Sequence, residues 1–574
     1  MMNNVIYKTL EEVYKYLNYN FTKSENEVIS KELRCIVLHE PNQFSKLYYE
    51  CSYEDIQSFL SCINEKSGGR KNNGVYYTSN DVVRFIYFNT IKSLYGNIKS
   101  TNLHVQDLNG IPYRSFSFAK KVFDPTCGAG EFLLVALSVK LDLVDLHQTE
   151  VSCKDIKKVI KTIFGNDINE DSVVIAKIRL FLFVLHRYGV EKIIGIAKEL
   201  NNNFGTYDFI NLKNTYKEKY DIIIGNPPYV EDSKCDTKPL IKYGNVYANV
   251  LHNVADCLAD KGAMGFIIPL SYVSTPRMQR IRKILNEKLS EQYILSYCDR
   301  PDCLFPSVHQ KLCILIGKNN METQTRKIYT GNYQFWYKEE RDNLFINVPA
   351  ILNKYVVDEY IPKLGTPLDC SIYKKVTTQN KSLKELFKGD IEFVYINMRA
   401  AFWIKTFRKE HCTGEYKIFT CSSKEDADLC MCIMNSSLFW WYWICVSDCW
   451  HITNKELNGF KVPKIDDYTI VSKLAKKLEK QLEKTKKYVG TKQTDYEYKH
   501  KDCTNEIHEI DDLICSIYGL TDEETIYIKN FAYRYRISGG VAHENNWFVF
   551  WMWRTISWLY KRWSHYFKSI RIWC

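Results

Sequence analysis

The apolar run Asp221-Ile222-Ile223-Ile224-Gly225 leads directly into Asn226-Pro227-Pro228-Tyr229, so a strand delivers a stiff turn. Pro227 and Pro228 have fixed φ and no backbone N–H, which leaves carbonyl oxygens with no competing donors. Acceptors are what a reacting –NH2 group needs. The Asn226 side-chain oxygen and the Pro227 carbonyl can each take one hydrogen from an aromatic amine, drawing its lone pair out of the ring and toward an electrophilic methyl group. Tyr229 then offers a flat face for the ring. The chemistry such a turn suits is amino-group methylation. Taken alone, the tetrapeptide also reads as an Asn-Pro turn closing a buried strand.

Upstream, Val122-Phe123 lead into Asp124-Pro125-Thr126-Cys127-Gly128-Ala129-Gly130 and then the apolar helix start Glu131-Phe132-Leu133. Gly128 and Gly130 permit a tight turn and close approach of a ligand at the carboxyl end of a first strand, where a doubly wound sheet binds nucleotides. Leu133 stands where a dinucleotide loop would carry its third glycine, and the matching acid comes late, which disfavours NAD. Cys127 reads as a small structural residue of this turn and not as a nucleophile.

The acid is Asp167, in Ile163-Phe164-Gly165-Asn166-Asp167, where a carboxylate at the tip of a second strand can accept both ribose hydroxyls of a nucleoside cofactor. The same residue also reads as part of the cap of the helix opening at Asp171-Ser172. At a third strand end, Asp208 can accept from an adenine amino group while Phe209 packs on its ring. Before all of these, Gly74-Val75-Tyr76-Tyr77-Thr78-Ser79 precedes the helical run Val82-Val83-Arg84-Phe85-Ile86. Tyr77 and Thr78 thus lie at a helix N-terminus, which binds a carboxylate through free N–H groups and the helix dipole. The amino-acid carboxylate of S-adenosylmethionine suits it, and an ordinary Ser/Thr cap is the alternative.

With these four segments in this order, the chain resembles DNA adenine-N6 methyltransferases of the type II and type IIG restriction-modification kind. The resemblance continues through Tyr243-Gly244-Asn245-Val246-Tyr247, Gly262-Ala263-Met264-Gly265-Phe266-Ile267-Ile268-Pro269 and Leu304-Phe305-Pro306-Ser307-Val308, and so runs from about Gly74 to Gly317. It implies a Rossmann-like, doubly wound α/β fold that uses S-adenosyl-L-methionine. Asn226, Pro227, Pro228 and Tyr229 would form the catalytic turn, Phe305 would stack on a flipped base opposite Tyr229, and Tyr77, Thr78, Asp124, Pro125, Gly128, Gly130, Asp167, Asp208 and Phe209 would hold the cofactor. No metal is implied. Val250 departs from the pattern, since relatives often carry an aromatic residue there.

The implied reaction is in-line transfer from a sulfonium to the adenine nitrogen, with no covalent enzyme intermediate. A neutral aryl amine is hard to deprotonate, but after accepting the methyl group it is cationic and loses its proton readily, so acceptors and alignment suffice. A base paired inside double-stranded DNA must first be extruded, at a few kcal/mol, and stacking of about 1–3 kcal/mol per base offsets this. Cytosine-N4 stays open as the target. So do RNA guanine or a protein glutamine, and a catalytically inactive DNA-binding relative.

Composition agrees. A chain of 574 residues has room for two or three domains, and a net charge of +11 suits a polyanionic partner, although 67 acidic residues lie among the basic ones. The twenty cysteines are scattered without paired Cys-x-x-Cys clusters and read as free cytosolic thiols. The polar start Met1-Met2-Asn3-Asn4-Val5 carries no signal-peptide pattern, so a cytoplasmic, DNA-associated protein without a membrane anchor is expected.

Residues 1–70 read as helical, with Leu10, Val13, Tyr14 and Leu17 at helical spacing. They are too short for the fused nuclease of type IIG enzymes, so methylation without cleavage is expected, which leaves room for a separate restriction endonuclease. The expected divisions are 1–70, a helical segment; 71–330, the catalytic domain; 331–537, an α+β target-recognition domain; and 538–574, a basic-aromatic tail. In the third, Phe393-Val394-Tyr395-Ile396 reads as a strand, and the cluster around Trp440, Trp441 and Trp443 reads as core more than as base contact. His451 reads as structural. Ile470, Leu474, Leu478 and Leu482 predict an amphipathic helix, and Thr521 with Glu524 predicts a capping box at a late helix. Removal of the chain after Arg536 is expected to leave methylation intact.

Overall fold

The computed structural model describes residues 4–37, 48–66, 78–96, 108, 110–211, 218–235, 238–305, 309–320, 322–323, 325–411, 414–490 and 496–537. Tyr77, Pro306-Ser307-Val308 and the tail from 538 lie outside the described residues.

A mixed α/β architecture is built on one nine-stranded sheet. Its strands are β1 Val122–Asp124, β2 Ile163–Asp167, β3 Phe204–Thr206, β4 Tyr220–Gly225, β5 Leu258–Pro269, β6 Glu291–Tyr297, β7 Leu312–Lys318, β8 Lys327–Thr330 and β9 Ile351–Leu352. They are ordered β3-β2-β1-β4-β5-β7-β6-β8-β9. From β3 through β5 every pairing is parallel, while β7 lies antiparallel between β5 and β6. The central strands are continuous apolar runs because both of their faces are covered: Ile222, Ile223 and Ile224 of β4 and Ile267 and Ile268 of β5 are fully buried. Chain order reverses between β1 and β4, and the crevice outside such a reversal is where open α/β sheets bind ligands.

Helices pack on this sheet in two groups. Asn80–Tyr95, Glu131–His147 and Glu170–Tyr188 touch one another in succession, while Val246–Cys257 packs on Gln279–Lys288. The N-terminal helices Asn4–Asn20, Lys23–Val37 and Tyr53–Lys66 all lean on Glu170–Tyr188. Arg179 Nε donates to Gln57 Oε1 at 2.9 Å across that seam, and Glu32 accepts from the Gly195 amide at 2.8 Å, at the start of the neighbouring helix Ile196–Asn203.

Beyond β9 the expected strand at Phe393-Val394-Tyr395-Ile396 is present within Glu392–Asn397, the centre of a three-stranded antiparallel sheet. The helix Ser437–Val446 is buried along its whole length. The indoles of Trp440, Trp441 and Trp443 are core, and each N–H is matched, to Ala401 O, Asp369 Oδ1 and His451 O respectively, as buried donors require. No single helix among the described residues is long and apolar enough to cross a membrane. The bent pair Lys424–Asn435 and Ser437–Val446 is apolar because it fills this core.

The amphipathic helix spans Thr469–Thr485, with one correction. Val471, Leu474, Ala475, Leu478 and Leu482 face inward, but Ile470 is 52% exposed. Strict four-residue steps advance about 40° too far on a helix of 3.6 residues per turn. Three steps back from Leu482 therefore put Ile470 about 120° off the buried face, and Val471 takes its place. At the late helix Asp522–Asn530 the capping box forms as expected, with Glu524 N donating to Thr521 Oγ1 at 3.2 Å and Thr521 N to Glu524 Oε2 at 2.8 Å.

Candidate active site

The end of β4 sits beside the end of β1, and Gly225 is what lets them meet. A Cβ at Gly225 would lie 2.8 Å from Asp124 Oδ1 and 3.4 Å from the Phe266 ring, so only glycine leaves space for the Asp124 carboxylate. Asp124 is 1% exposed and accepts from the Thr126 amide at 3.0 Å. Burial pushes its carboxyl well above the usual range, with the nearby Asp167 adding to the effect.

The loop after β1 turns at Gly128 (φ 51°) and Gly130 (φ 85°), left-handed values that favour glycine. Its Gly128 amide donates to Asp167 Oδ2 at 2.9 Å, while Asp167 Oδ1 accepts from the Asn169 amide at 2.9 Å. Asp167 therefore does not cap the following helix. That cap is Asn169, whose side chain accepts from Ser172. Burial raises the Asp167 carboxyl despite these amide donors. Cys127 is buried, and burial pushes its thiol up, away from thiolate chemistry.

Asn166 was not singled out by the sequence, yet it ties three strand ends together. Its Nδ2 donates to Pro125 O at 3.0 Å and to Tyr207 O at 3.1 Å, and its Oδ1 accepts from Tyr207 N at 3.1 Å. At the third strand end, Asp208 accepts from the Ile210 amide at 2.9 Å and from Asn211 Nδ2 at 2.9 Å. Phe209 is buried with its ring edge-on to Phe123, 5.8 Å between centroids.

The turn itself reaches back to the start of the helix Asn80–Tyr95. Asn226 Nδ2 donates to Thr78 Oγ1 at 2.9 Å, a pairing between residues 148 apart in sequence, and Thr78 is 3% exposed. That bond orients the amide. The Tyr229 hydroxyl donates to Ile267 O at 2.9 Å and so fixes its ring against β5. Facing it, the Phe305 ring lies 6.4 Å away, centroid to centroid, at 26° between planes. Two faces sandwiching one flat ring stand about 7 Å apart, twice the carbon–carbon optimum of about 3.5 Å, so this pair, with Phe305 1% exposed, stands slightly closer than a sandwiched ring requires.

Beside Tyr229 opens a cleft of about 770 Å³, whose lining includes Lys234, Arg277, Arg300, Lys311 and Trp450. Trp450 comes from the region after β9 and carries the Lys311 ammonium 4.5 Å and the Arg300 guanidinium 5.6 Å from its ring centroid. Next to it, Asp448 accepts from His451 Nδ1 at 2.9 Å and from the amides of Trp450 and His451. Burial raises the Asp448 carboxyl, but these bonds outweigh it and hold it below its ordinary range. His451 thus orders a loop. The structure therefore joins Thr78 to Asn226, Asp124 to Gly225, Asp167 to the glycine loop and Tyr229 to Phe305.

Comparison with known proteins bears on the same segment. Residues 161–303 match the family Eco57I restriction-modification methylase. A Methanocaldococcus jannaschii protein named as a type II restriction enzyme and methyltransferase is 24% identical over an alignment of 211 residues, with 30% of this chain and 17% of that one covered. The match thus covers well under two thirds of the relative. Among solved structures, the type IIL restriction-modification enzyme MmeI in complex with DNA is 13% identical, covering 86% of this chain and 83% of that chain at a TM-score of 0.49. The type IIG restriction endonuclease BpuSI is 12% identical, covering 92% and 75% at 0.38. A Listeria monocytogenes protein named as a class I S-adenosylmethionine-dependent methyltransferase is 13% identical, covering 60% and 94% at 0.34. The stretch from β2 to β6, with the Asn226 turn near its middle, carries a domain similar to the Eco57I restriction-modification methylase.

Proposed function

We propose that this protein methylates the N6 amino group of adenine in double-stranded DNA, as the modification activity of a restriction-modification system. One observation carries the reading: the Asn226 turn stands at the switch point of the sheet, its amide oriented by Thr78, beside the Tyr229–Phe305 slot.

S-adenosyl-L-methionine, when bound, supplies an electrophilic methyl group. The residues present fit it. The glycine loop between β1 and the helix Glu131–His147 leaves a close approach, since nothing described lies within 4 Å of a Cβ built on Gly128. The Asp167 carboxylate at the tip of β2 is a double acceptor suited to ribose hydroxyls. The N-terminus of the helix Asn80–Tyr95, after Thr78, suits a carboxylate; Tyr77, Pro125, Gly130, Asp208 and Phe209 complete the proposed binding set.

In this reading Tyr229 and Phe305 part slightly to admit an extruded base between them. Asn226 Oδ1, the other half of the amide that donates to Thr78, and the Pro227 carbonyl each accept one hydrogen of the exocyclic amine. Pro228 stiffens the turn that presents them. Transfer would exchange the sulfonium S–CH3 bond for the new N–CH3 bond and leave a neutral thioether; the amine would become cationic, the same two oxygens would stabilise its charge, and one proton would leave to solvent. Lys234, Arg277, Arg300 and Lys311 in the adjoining cleft suit phosphates of the flanking backbone.

The test is expression in a host without adenine methylation, followed by sequencing of its genome for modified bases. N6-methyladenine at one recurring sequence, absent with Asn226→Ala, supports the reading. Unmodified DNA from folded, cofactor-binding protein refutes it and redirects the search to RNA or protein amides.

A further inference from the structure

We propose that Arg341 is a positioning residue for methyl transfer, latching the Phe305 loop and the start of the helix Asn80–Tyr95 into one unit. This rests on the proposed function only for the identity of the reaction. Arg341 belongs to neither element. It lies in the short helix Lys338–Asn343, beyond β8. Its Nε donates to Asp81 Oδ2 at 2.8 Å, and its Nη2 lies 3.2 Å from Asp81 Oδ1 and 2.8 Å from Ser79 Oγ. From the same guanidinium, Nη1 donates to Cys303 O at 3.2 Å and Nη2 to Leu304 O at 3.1 Å.

Those acceptors flank the site on both sides. Ser79 follows Thr78, the residue that orients the Asn226 amide, and Leu304 precedes Phe305, the ring facing Tyr229. One planar fork thus sets the distance between the residue behind the amine acceptor and the wall of the slot. Only a guanidinium spans acceptors in so many directions; an ammonium is a point charge with three donors. Burial works against the Asp81 carboxylate, yet Arg341 and Ser79 hold its pKa below the ordinary range.

The latch is anchored from the far end of the chain. Glu340, its neighbour, accepts from Arg534 Nη1 at 2.5 Å and from the Tyr535 hydroxyl at 3.0 Å, and it closes a capping box on the Tyr337 amide at 2.8 Å. The Arg534 guanidinium lies 5.1 Å from the Tyr337 ring centroid. Phe345 packs against Phe85 at 4.8 Å and Tyr297 at 5.7 Å. The helix Tyr533–Ile537 therefore braces the device that aligns the transfer turn, which makes the region after β9 a contributor to the rate.

The experiment measures transfer of labelled methyl from S-adenosylmethionine to unmethylated genomic DNA, with cofactor affinity by calorimetry and hydrogen exchange by mass spectrometry. Arg341→Ala is expected to lower kcat about 100-fold, the size of a misplacement near 1 Å, with cofactor Kd within about threefold. Millimolar guanidinium should restore part of the rate, and Arg341→Lys should fall between the two. Amide exchange in 79–83 and 303–305 should quicken. Wild-type kcat in the Ala variant overturns the latch, and so does a fall in kcat matched by equal losses of cofactor binding and melting temperature. If the wild type transfers nothing to DNA, the functional reading fails on its own; unchanged exchange in the Ala variant would then overturn the latch separately.

Discussion

Gly225→Ala tests whether the close contact of β4 with Asp124 is as tight as the structure makes it. Gly225 sits in a strand with no left-handed φ, so the backbone accepts alanine and the whole effect comes from the added methyl. That methyl would stand 2.8 Å from Asp124 Oδ1, 3.3 Å from its Cγ and 3.4 Å from Phe266 Cε1. Relief requires Asp124 to retreat by about 0.6 Å to reach ordinary contact. It has little freedom: it is 1% exposed and tied to Thr126 N at 3.0 Å, and a shift of that size takes the bond out of range. Overpacking of about 1–3 kcal/mol and a lost buried bond of about 1 kcal/mol make a destabilisation of about 2–4 kcal/mol. Because the shift displaces the loop proposed to face the cofactor, S-adenosylmethionine affinity should fall at least about tenfold, each tenfold corresponding to about 1.4 kcal/mol. Gly128→Ala is the control for folding stability alone, since its methyl would enter the space proposed for the cofactor. Its Cβ meets nothing within 4 Å but its φ is 51°, so it should cost about 1–2 kcal/mol of backbone strain alone. Thermal unfolding of both variants and calorimetric titration of Gly225→Ala decide the matter: a Gly225→Ala protein as stable and as tight-binding as wild type would show that Asp124 does not constrain β4.

Tyr229→Phe keeps the ring and loses only the bond to Ile267 O, so transfer should stay within about tenfold of wild type, while Tyr229→Ala removes a stacking face and should slow single-turnover transfer about 10- to 100-fold. His500 is buried and burial lowers its pKa to about 3; below pH 6.5 the unfolded chain takes up a proton that the folded one does not, so this residue removes stability at about 1.4 kcal/mol per unit as pH falls from 6.5 toward 3. His500→Gln should therefore lose less melting temperature than wild type between pH 7 and 5, and identical slopes would contradict the assignment. Removing the chain after Arg536 should leave methylation intact, whereas Arg536→Ala should lower stability by about 2–4 kcal/mol in denaturant titration. Its buried guanidinium lies 4.1 Å from the Trp403 and 4.4 Å from the Trp440 ring centroids and donates to Phe402 O and Ser437 Oγ, a desolvated cation–π pair with two hydrogen bonds.

What the sequence made legible was chemistry confined to short stretches. The strand into Asn226, the glycines at left-handed φ and the capping boxes are each encoded within a few residues, and the structure places them at strand ends and helix starts where local rules put them. The parallel core was readable for the same reason, since strands covered on both faces are continuous apolar runs. Contacts between distant segments were not readable. Nothing near Arg341 marks it as the partner of Asp81, 260 residues away, and Asn166 looks like one more polar residue at a strand end until Pro125 and Tyr207 are seen around it. The antiparallel insertion of β7 between β5 and β6 is a property of chain path, on which side-chain alternation is silent. Ile470 shows the limit within a single helix, where a regular four-residue spacing drifted off the face that packing selected.

In the proposed reaction Asn226 and Pro227 hold an adenine amino group for methyl transfer. The direct measurement is nucleoside analysis of unmethylated duplex DNA incubated with the purified protein and isotopically labelled S-adenosylmethionine. Label in N6-methyldeoxyadenosine, lost with Asn226→Ala while cofactor still binds, is the predicted result; label in N4-methyldeoxycytidine, or undiminished label with Asn226→Ala, would contradict it.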